Sequence, residues 1–185
     1  LSNNQIKAYK DILDFRALNF NTNIVWDLQT IEETKEYFDW ESIYRINGVV
    51  LNLDFFEKYK NQITFSSIYL NKNVDWSFQL LDTYSDKWNL DDLMMKPIMA
   101  HPRNIKKYTE YYNWDKFSSN PHLNLNEDLI EAYKENWNWK RLCSNKCLKL
   151  DKKSIEKYKD YICFNNLSRN PSMVPFILAY PNDYD

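Results

Sequence analysis

The chain has 185 residues, enough for one or two domains with a sizeable core. Apolar residues make up 44% of it, which excludes wholesale disorder, and its single glycine, Gly48, excludes glycine-rich phosphate loops and argues against hairpin-rich sheets. The net charge of −2 hides a split: residues 1–95 carry nine basic and fifteen acidic side chains, residues 96–169 carry fifteen basic and nine acidic, and Asp183 and Asp185 sit in the tail.

The opening stretch, LSNNQIKAYK, is polar and amphipathic and reads as an irregular lead-in rather than a signal peptide. From Phe15 onward the chain repeats. A large apolar or aromatic anchor follows a small residue at Phe15, Trp40, Phe65, Leu90, Trp114, Trp139 and Phe164, in steps of 25 residues with one step of 24. Three residues after each anchor comes a second apolar residue: Leu18, Ile43, Ile68, Leu93, Phe117, Leu142 and Leu167. Nine after come Ile24, Val49, Val74, Met99, Leu123, Leu148 and Met173. Sixteen after, five units show Ile31, Phe56, Leu81, Ile130 and Ile155, and nineteen after, four show Tyr59, Tyr84, Tyr133 and Tyr158.

Polar residues punctuate the same period. Asp14, Asp39, Thr64, Asn89, Asn113 and Asn138 precede anchors and predict a short helix A, since their side chains suit the free amides of a first turn, and one face of that helix is expected to bury both its anchor and the apolar residue three later. Asp27, Asn52, Ser77, Asn126 and Asp151 predict the start of a longer helix B. Asn21, Asn71, Asn120, Asn145 and Asn170 stand six after an anchor, where left-handed Asn is expected to close helix A in place of glycine. The fourth unit departs, with Lys96-Pro97 and Pro102 expected to break the chain, and the last dissolves into MVPFILAYPNDYD. The pattern predicts an all-α fold: a tandem helix-pair repeat, or α-solenoid, of about seven units in one domain spanning 1–185, with a seam or bend at 96–104.

The best-kept units, NWDKFSSNPHLNLNEDLIEAYKEN and NWKRLCSNKCLKLDKKSIEKYKD, together with DWESIYRIN and FNNLSRNPSM, resemble the tandem W-D-W-x-x-L-S-x-N-P-x-L arrays of large DNA virus and bacterial proteins. The resemblance covers about residues 13–178 and is tightest in units five to seven. It implies a helical interaction scaffold and carries over no catalytic residue.

Candidate chemistry is sparse. His101 and His122 lie beside prolines in expected turns with no nucleophile paired to them in sequence. Cys143, Cys147 and Cys163 fall short of the four ligands of a structural zinc site. Pairs such as Glu32–Glu33, Asp91–Asp92 and Glu127–Asp128 suit helix N-termini better than paired-carboxylate catalysis. No enzymatic activity, metal or cofactor is expected. No apolar run approaches the roughly 18 residues of a spanning helix, so no membrane partner is expected. The odd, irregular cysteines suit a reducing cytoplasm, the chain's own or a host's.

The expected function is therefore recognition. Four and five after the anchors, the middle units replace small polar residues with Tyr44 and Arg45, Tyr69 and Leu70, Met94 and Met95. These types are common at protein interfaces and predict one outward, protein-binding ridge. Lys116, Lys140, Arg141 and Lys146, followed by Lys149, Lys152 and Lys153, predict a basic strip. The leading expectation is a protein-binding inhibitor or adaptor, for example a viral or phage factor that blocks a host or defence protein. The alternative is binding of single-stranded RNA or another nucleic acid by the basic half.

Overall fold

The computed structural model describes residues 1–179, so Asp183, Asp185 and the end of the expected terminal unit lie outside the described residues. Among the described residues the fold is all-helical, with no strand and two isolated parallel β-bridges. It divides into two compact units, Leu1–Asn89 and Leu90–Asp185, a division that falls just before the Lys96–Pro102 stretch. No helix of the described residues is long and apolar enough to cross a membrane.

The first unit contains α1 (Asn3–Ala8), α2 (Phe15–Phe20), α3 (Leu28–Glu33), a 3-10 helix (Trp40–Arg45), α4 (Leu53–Tyr59), α5 (Phe65–Ile68) and α6 (Phe78–Thr83). Asp14 caps α2 through the amide of Ala17, and Asp27, Asn52 and Ser77 cap α3, α4 and α6. Asp39 and Thr64 make no such bond; Asp39 instead takes the Ser42 hydroxyl at 2.6 Å, beneath the tighter 3-10 turn. Helices of four to seven residues are too short to hold themselves in water. Their stability must come from the faces they bury.

Those faces follow the period. Leu18, Ile43 and Ile68, then Ile24, Val49 and Val74, then Ile31, Phe56 and Leu81, are all buried. The segments after helix A are linked by backbone rungs: Trp26 N–H donates to Asn47, Leu51 N–H to Asn73, and Asp75 N–H to Leu51, all at 2.9–3.0 Å. Gly48 sits beside the first rung at φ 87°, where a Cβ would lie 2.5 Å from the Trp26 carbonyl oxygen.

The second unit contains α7 (Leu90–Leu93), a 3-10 helix (Pro97–Ala100), α8 (Pro102–Tyr108), a 3-10 turn (Thr109–Tyr111), α9 (Trp114–Phe117), α10 (Glu127–Ala132), α11 (Trp139–Ser144), α12 (Lys152–Lys157), α13 (Phe164–Leu167) and α14 (Val174–Ala179). Asn113, Asn126, Asn138 and Asp151 cap α9 to α12 in order. The two prolines do not simply break the chain. Each occupies the first position of a helix, where its missing N–H costs nothing, and His101 Nδ1 accepts the Arg103 amide at the start of α8.

Two further sequence expectations require correction. No described residue other than Gly48 has a positive φ, so the repeated Asn does not close helix A in the left-handed form. Asn145, for example, is extended at φ −75° and ψ 124°. Its work is done by the side chain. Nδ2 donates to the carbonyls of Ser118 and Asn120 at 3.0 and 2.9 Å, while Oδ1 accepts from Cys147 N–H. Asn71, Asn120 and Asn170 repeat this bracket, each reaching two carbonyls in the preceding period and the amide two residues ahead. All four are buried.

The second correction concerns the anchors. Phe15 and Trp139 are buried, but Trp40, Phe65, Leu90, Trp114 and Phe164 are only half-buried. The deeper column lies two residues earlier: Phe38, Ile63, Trp88, Tyr112, Trp137 and Ile162 are all buried. Four anchors are covered instead by the Tyr nineteen residues on, with ring centroids 4.9, 5.2, 5.0 and 5.5 Å apart for Trp40–Tyr59, Phe65–Tyr84, Trp114–Tyr133 and Trp139–Tyr158.

Candidate functional site

The geometry of helix A sorts the expected ridge into two columns. With the third residue after the anchor pointing into the core, the fourth lies about 100° round the helix, near the interior, and the fifth turns away. The fourth position is accordingly buried or half-buried in the middle units. Met94 is fully buried, which removes it from the expected binding surface, and Tyr44 and Tyr69 are half-buried. Elsewhere the same position serves the next unit's cap: Asn19 Nδ2 donates to the Asp39 carbonyl, Ser118 Oγ accepts the Asn138 amide, and Cys143 Sγ accepts the Cys163 amide at 3.4 Å.

The fifth position is the outward one. Phe20, Arg45 and Leu70 are all exposed in the first compact unit, and Met95 is exposed in the second. Phe20, which lies outside the expected ridge, stands five after Phe15, and that spacing is its signal in the sequence.

Phe20, Tyr44, Arg45 and Leu70 line one open groove of about 510 Å3, together with Lys72 and a set of Thr and Asn residues. The Arg45 guanidinium lies 4.1 Å from the Phe20 ring centroid and 5.0 Å from that of Tyr44. Its Nε donates to the Tyr44 hydroxyl at 3.0 Å, which fixes the side chain across the two rings. No carboxylate lines the groove, and among the described residues none forms an ion pair with Arg45 or Lys72. Tyr69 does not line this groove.

Comparison with family models, with curated proteins and with solved structures gave no match.

The expected basic strip is partly neutralised by carboxylates one period earlier. Lys116 pairs with Asp91, and Arg141 pairs with Asp115 at 2.9 Å. The cap residues join in: Asn113 Nδ2 donates to Asp91 and Asn138 Nδ2 to Asp115. These bonds hold the Asp91 and Asp115 carboxyls below the usual aspartate value, with the Lys116 and Arg141 hydrogen bonds as the largest cause. Lys140 and Lys146 line a second open groove with Arg141 and Ser144. Lys149 lines a neighbouring one with Lys146, and Lys152 and Lys153 are exposed in the first turn of α12.

A parallel set of internal ion pairs involves the Tyr column. Tyr59 donates to Glu32 at 2.6 Å and Lys58 pairs with the same carboxylate at 2.8 Å; Tyr158 and Lys157 treat Glu131 alike. Glu32 and Glu131 are both drawn down to about 2, by the Lys58 bond first in one case and by Lys134 and Lys157 in the other.

Among the described residues no group of three or more His, Cys, Asp or Glu is arranged to hold a metal ion. The Cys147 thiol donates to the Pro121 carbonyl, and burial pushes the Cys143 thiol up to about 11. A thiol so held is overwhelmingly protonated near neutral pH and is a poor nucleophile.

Proposed function

We propose that the chain is a stacked helical-repeat module that binds another protein, as an inhibitor or adaptor, and does so through the outward fifth positions of its first compact unit. The carrying observation is Arg45: exposed, held over the rings of Phe20 and Tyr44, and without an ion-pair partner among the described residues. Arginine held over aromatic rings beside an exposed leucine matches the composition of interface hot spots, and pre-ordering lowers the entropy lost on binding.

The stacked arrangement is supported by bonds that recur one period apart, the Asn brackets and the carboxylate pairs. In such an array the repeated polar groups are consumed internally, and specificity is left to positions that depart from the repeat. The resemblance of the later units to W-D-W-x-x-L-S-x-N arrays points the same way. Binding of RNA by Lys140, Lys146 and Lys149 is the second reading, favoured by the grooves they line and weakened by the neutralisation of Lys116 and Arg141.

The test is affinity capture from a lysate of the source cells or of their host, with wild-type protein, Arg45→Glu, Leu70→Glu and a Lys149→Glu control. The expected result is a protein retained by wild type and Lys149→Glu and lost with both groove variants. Identical captures by all four proteins would sink the proposal.

A further inference from the structure

We infer that the groove around Arg45 takes an acidic segment of the partner protein, one carrying a carboxylate beside an apolar side chain. This rests on the protein-binding reading above and adds the chemistry of the ligand.

Several cations of this fold are ordered by carboxylates, although Lys10, over the Tyr37 ring, is not. Lys58 and Lys157 also lie over tyrosine rings, but each meets a glutamate, Glu32 in one case and Glu127 and Glu131 in the other. Lys116 and Arg141 meet Asp91 and Asp115. Arg45 is built with the same care, yet its described partners are two rings and a hydroxyl, none of which neutralises it. The Tyr44 bond uses Nε alone and leaves the two terminal amino groups, which together form one edge able to meet a carboxylate bidentately.

Lys72 adds a second cation to the same lining, and no acid opposes either. This occurs in a compact unit whose overall balance is acidic, so the groove is a local reversal of sign. The charge alone would suit any anion. The flanking Phe20 and Leu70, 46% and 53% exposed, supply the second half of the recognition, because they reward an apolar side chain next to the charge. Successive helices pack about 10 Å apart, so the span from Phe20 to Leu70 corresponds to an extended peptide of about six residues.

The experiment uses the full chain and fluorescein-labelled eight-residue peptides in three panels, with Leu or Phe alternating with Glu, Gln or Lys. Fluorescence anisotropy is expected to show the Glu panel binding about tenfold or more tightly than the Gln panel, with Arg45→Glu abolishing that preference and Lys72→Glu reducing it. The double variant Arg45→Glu/Lys72→Glu is expected to favour the Lys panel. Arg45 is exposed, and circular dichroism of each variant checks that its fold is kept.

Equal binding of Gln and Glu peptides, or an unchanged Glu preference in Arg45→Glu, overturns the inference. So does tighter binding of a labelled twelve-residue oligouridine that depends on Arg45, or an Arg45-dependent self-association in sedimentation. If lysate capture depends on Arg45 while acidic peptides do not bind, the protein-binding reading stands and the acidic ligand falls. If neither depends on Arg45, both fall.

Discussion

The side-chain amide of Asn170 donates to the carbonyl oxygen of Asn145 at 2.8 Å, one period back along the chain. Asn145 does the same to Asn120 at 2.9 Å. Replacing Asn145 with Ala strands two carbonyls and the Cys147 amide in a buried setting, with a loss of about 3 kcal/mol. Urea denaturation measures it. Asn21, at the same repeat position but exposed, accepts only from Asn23 N–H, and its Ala variant is expected to lose less than about 1 kcal/mol.

Among the described residues, Gly48 is the one whose backbone demands glycine. At φ 87° an added methyl strains the chain and meets both the Trp26 carbonyl oxygen and Val25 Cγ1 at 2.5 Å. Gly48→Ala should cost at least about 2 kcal/mol and disturb the Trp26–Asn47 rung. Hydrogen exchange at the Trp26 amide reads the second effect, and a melt that superimposes on wild type would refute the first.

Glu32 gives the fold a pH dependence of definite sign. Its carboxyl lies at about 2 when folded against an ordinary 4.5, chiefly through the bonds from Lys58, Tyr59 and Lys35. A depressed carboxylate stabilises above its unfolded value and loses that contribution as pH falls through the folded one. Because the side chain is 37% exposed, screening holds the gain to about 1 kcal/mol or less. The stability gap between wild type and Glu32→Gln is therefore expected to be widest above pH 4.5 and to close toward pH 2 in acid titrations followed by circular dichroism.

The three cysteines should separate kinetically. Cys143 is buried and held protonated, whereas Cys147 and Cys163 are half-exposed. Iodoacetamide at pH 8 is expected to modify Cys143 last, at a rate that rises with added urea. Peptide mass spectrometry resolves the sites, and equal labelling of all three in the native protein would contradict the burial.

Much of the helical pattern was legible because capping and burial are local rules. The side chains of Asp27, Asn52, Ser77, Asn126 and Asp151 accept the amides they were expected to accept, three residues along. The apolar positions three and nine after the anchors are buried in every unit. The errors came where a partner lies a whole period away. Nothing near Asn145 in sequence announces the carbonyls of Ser118 and Asn120, so a local helix-ending role was the natural reading. The same distance hid the Asp91 and Asp115 partners of Lys116 and Arg141. Met94 was misjudged for a different reason: adjacent outward-looking positions were treated alike, although 100° of helical rotation puts one inside.

The bracket made by Asn145 and Asn170 also bears on how such a chain can change length. Donor and acceptors sit at a fixed offset, so copying or deleting one entire period leaves each surviving amide with a carbonyl to meet. A duplication or loss of some other size leaves a rung without its opposite number. Insertion of one whole period is therefore expected to disturb folding less than an insertion of any other size.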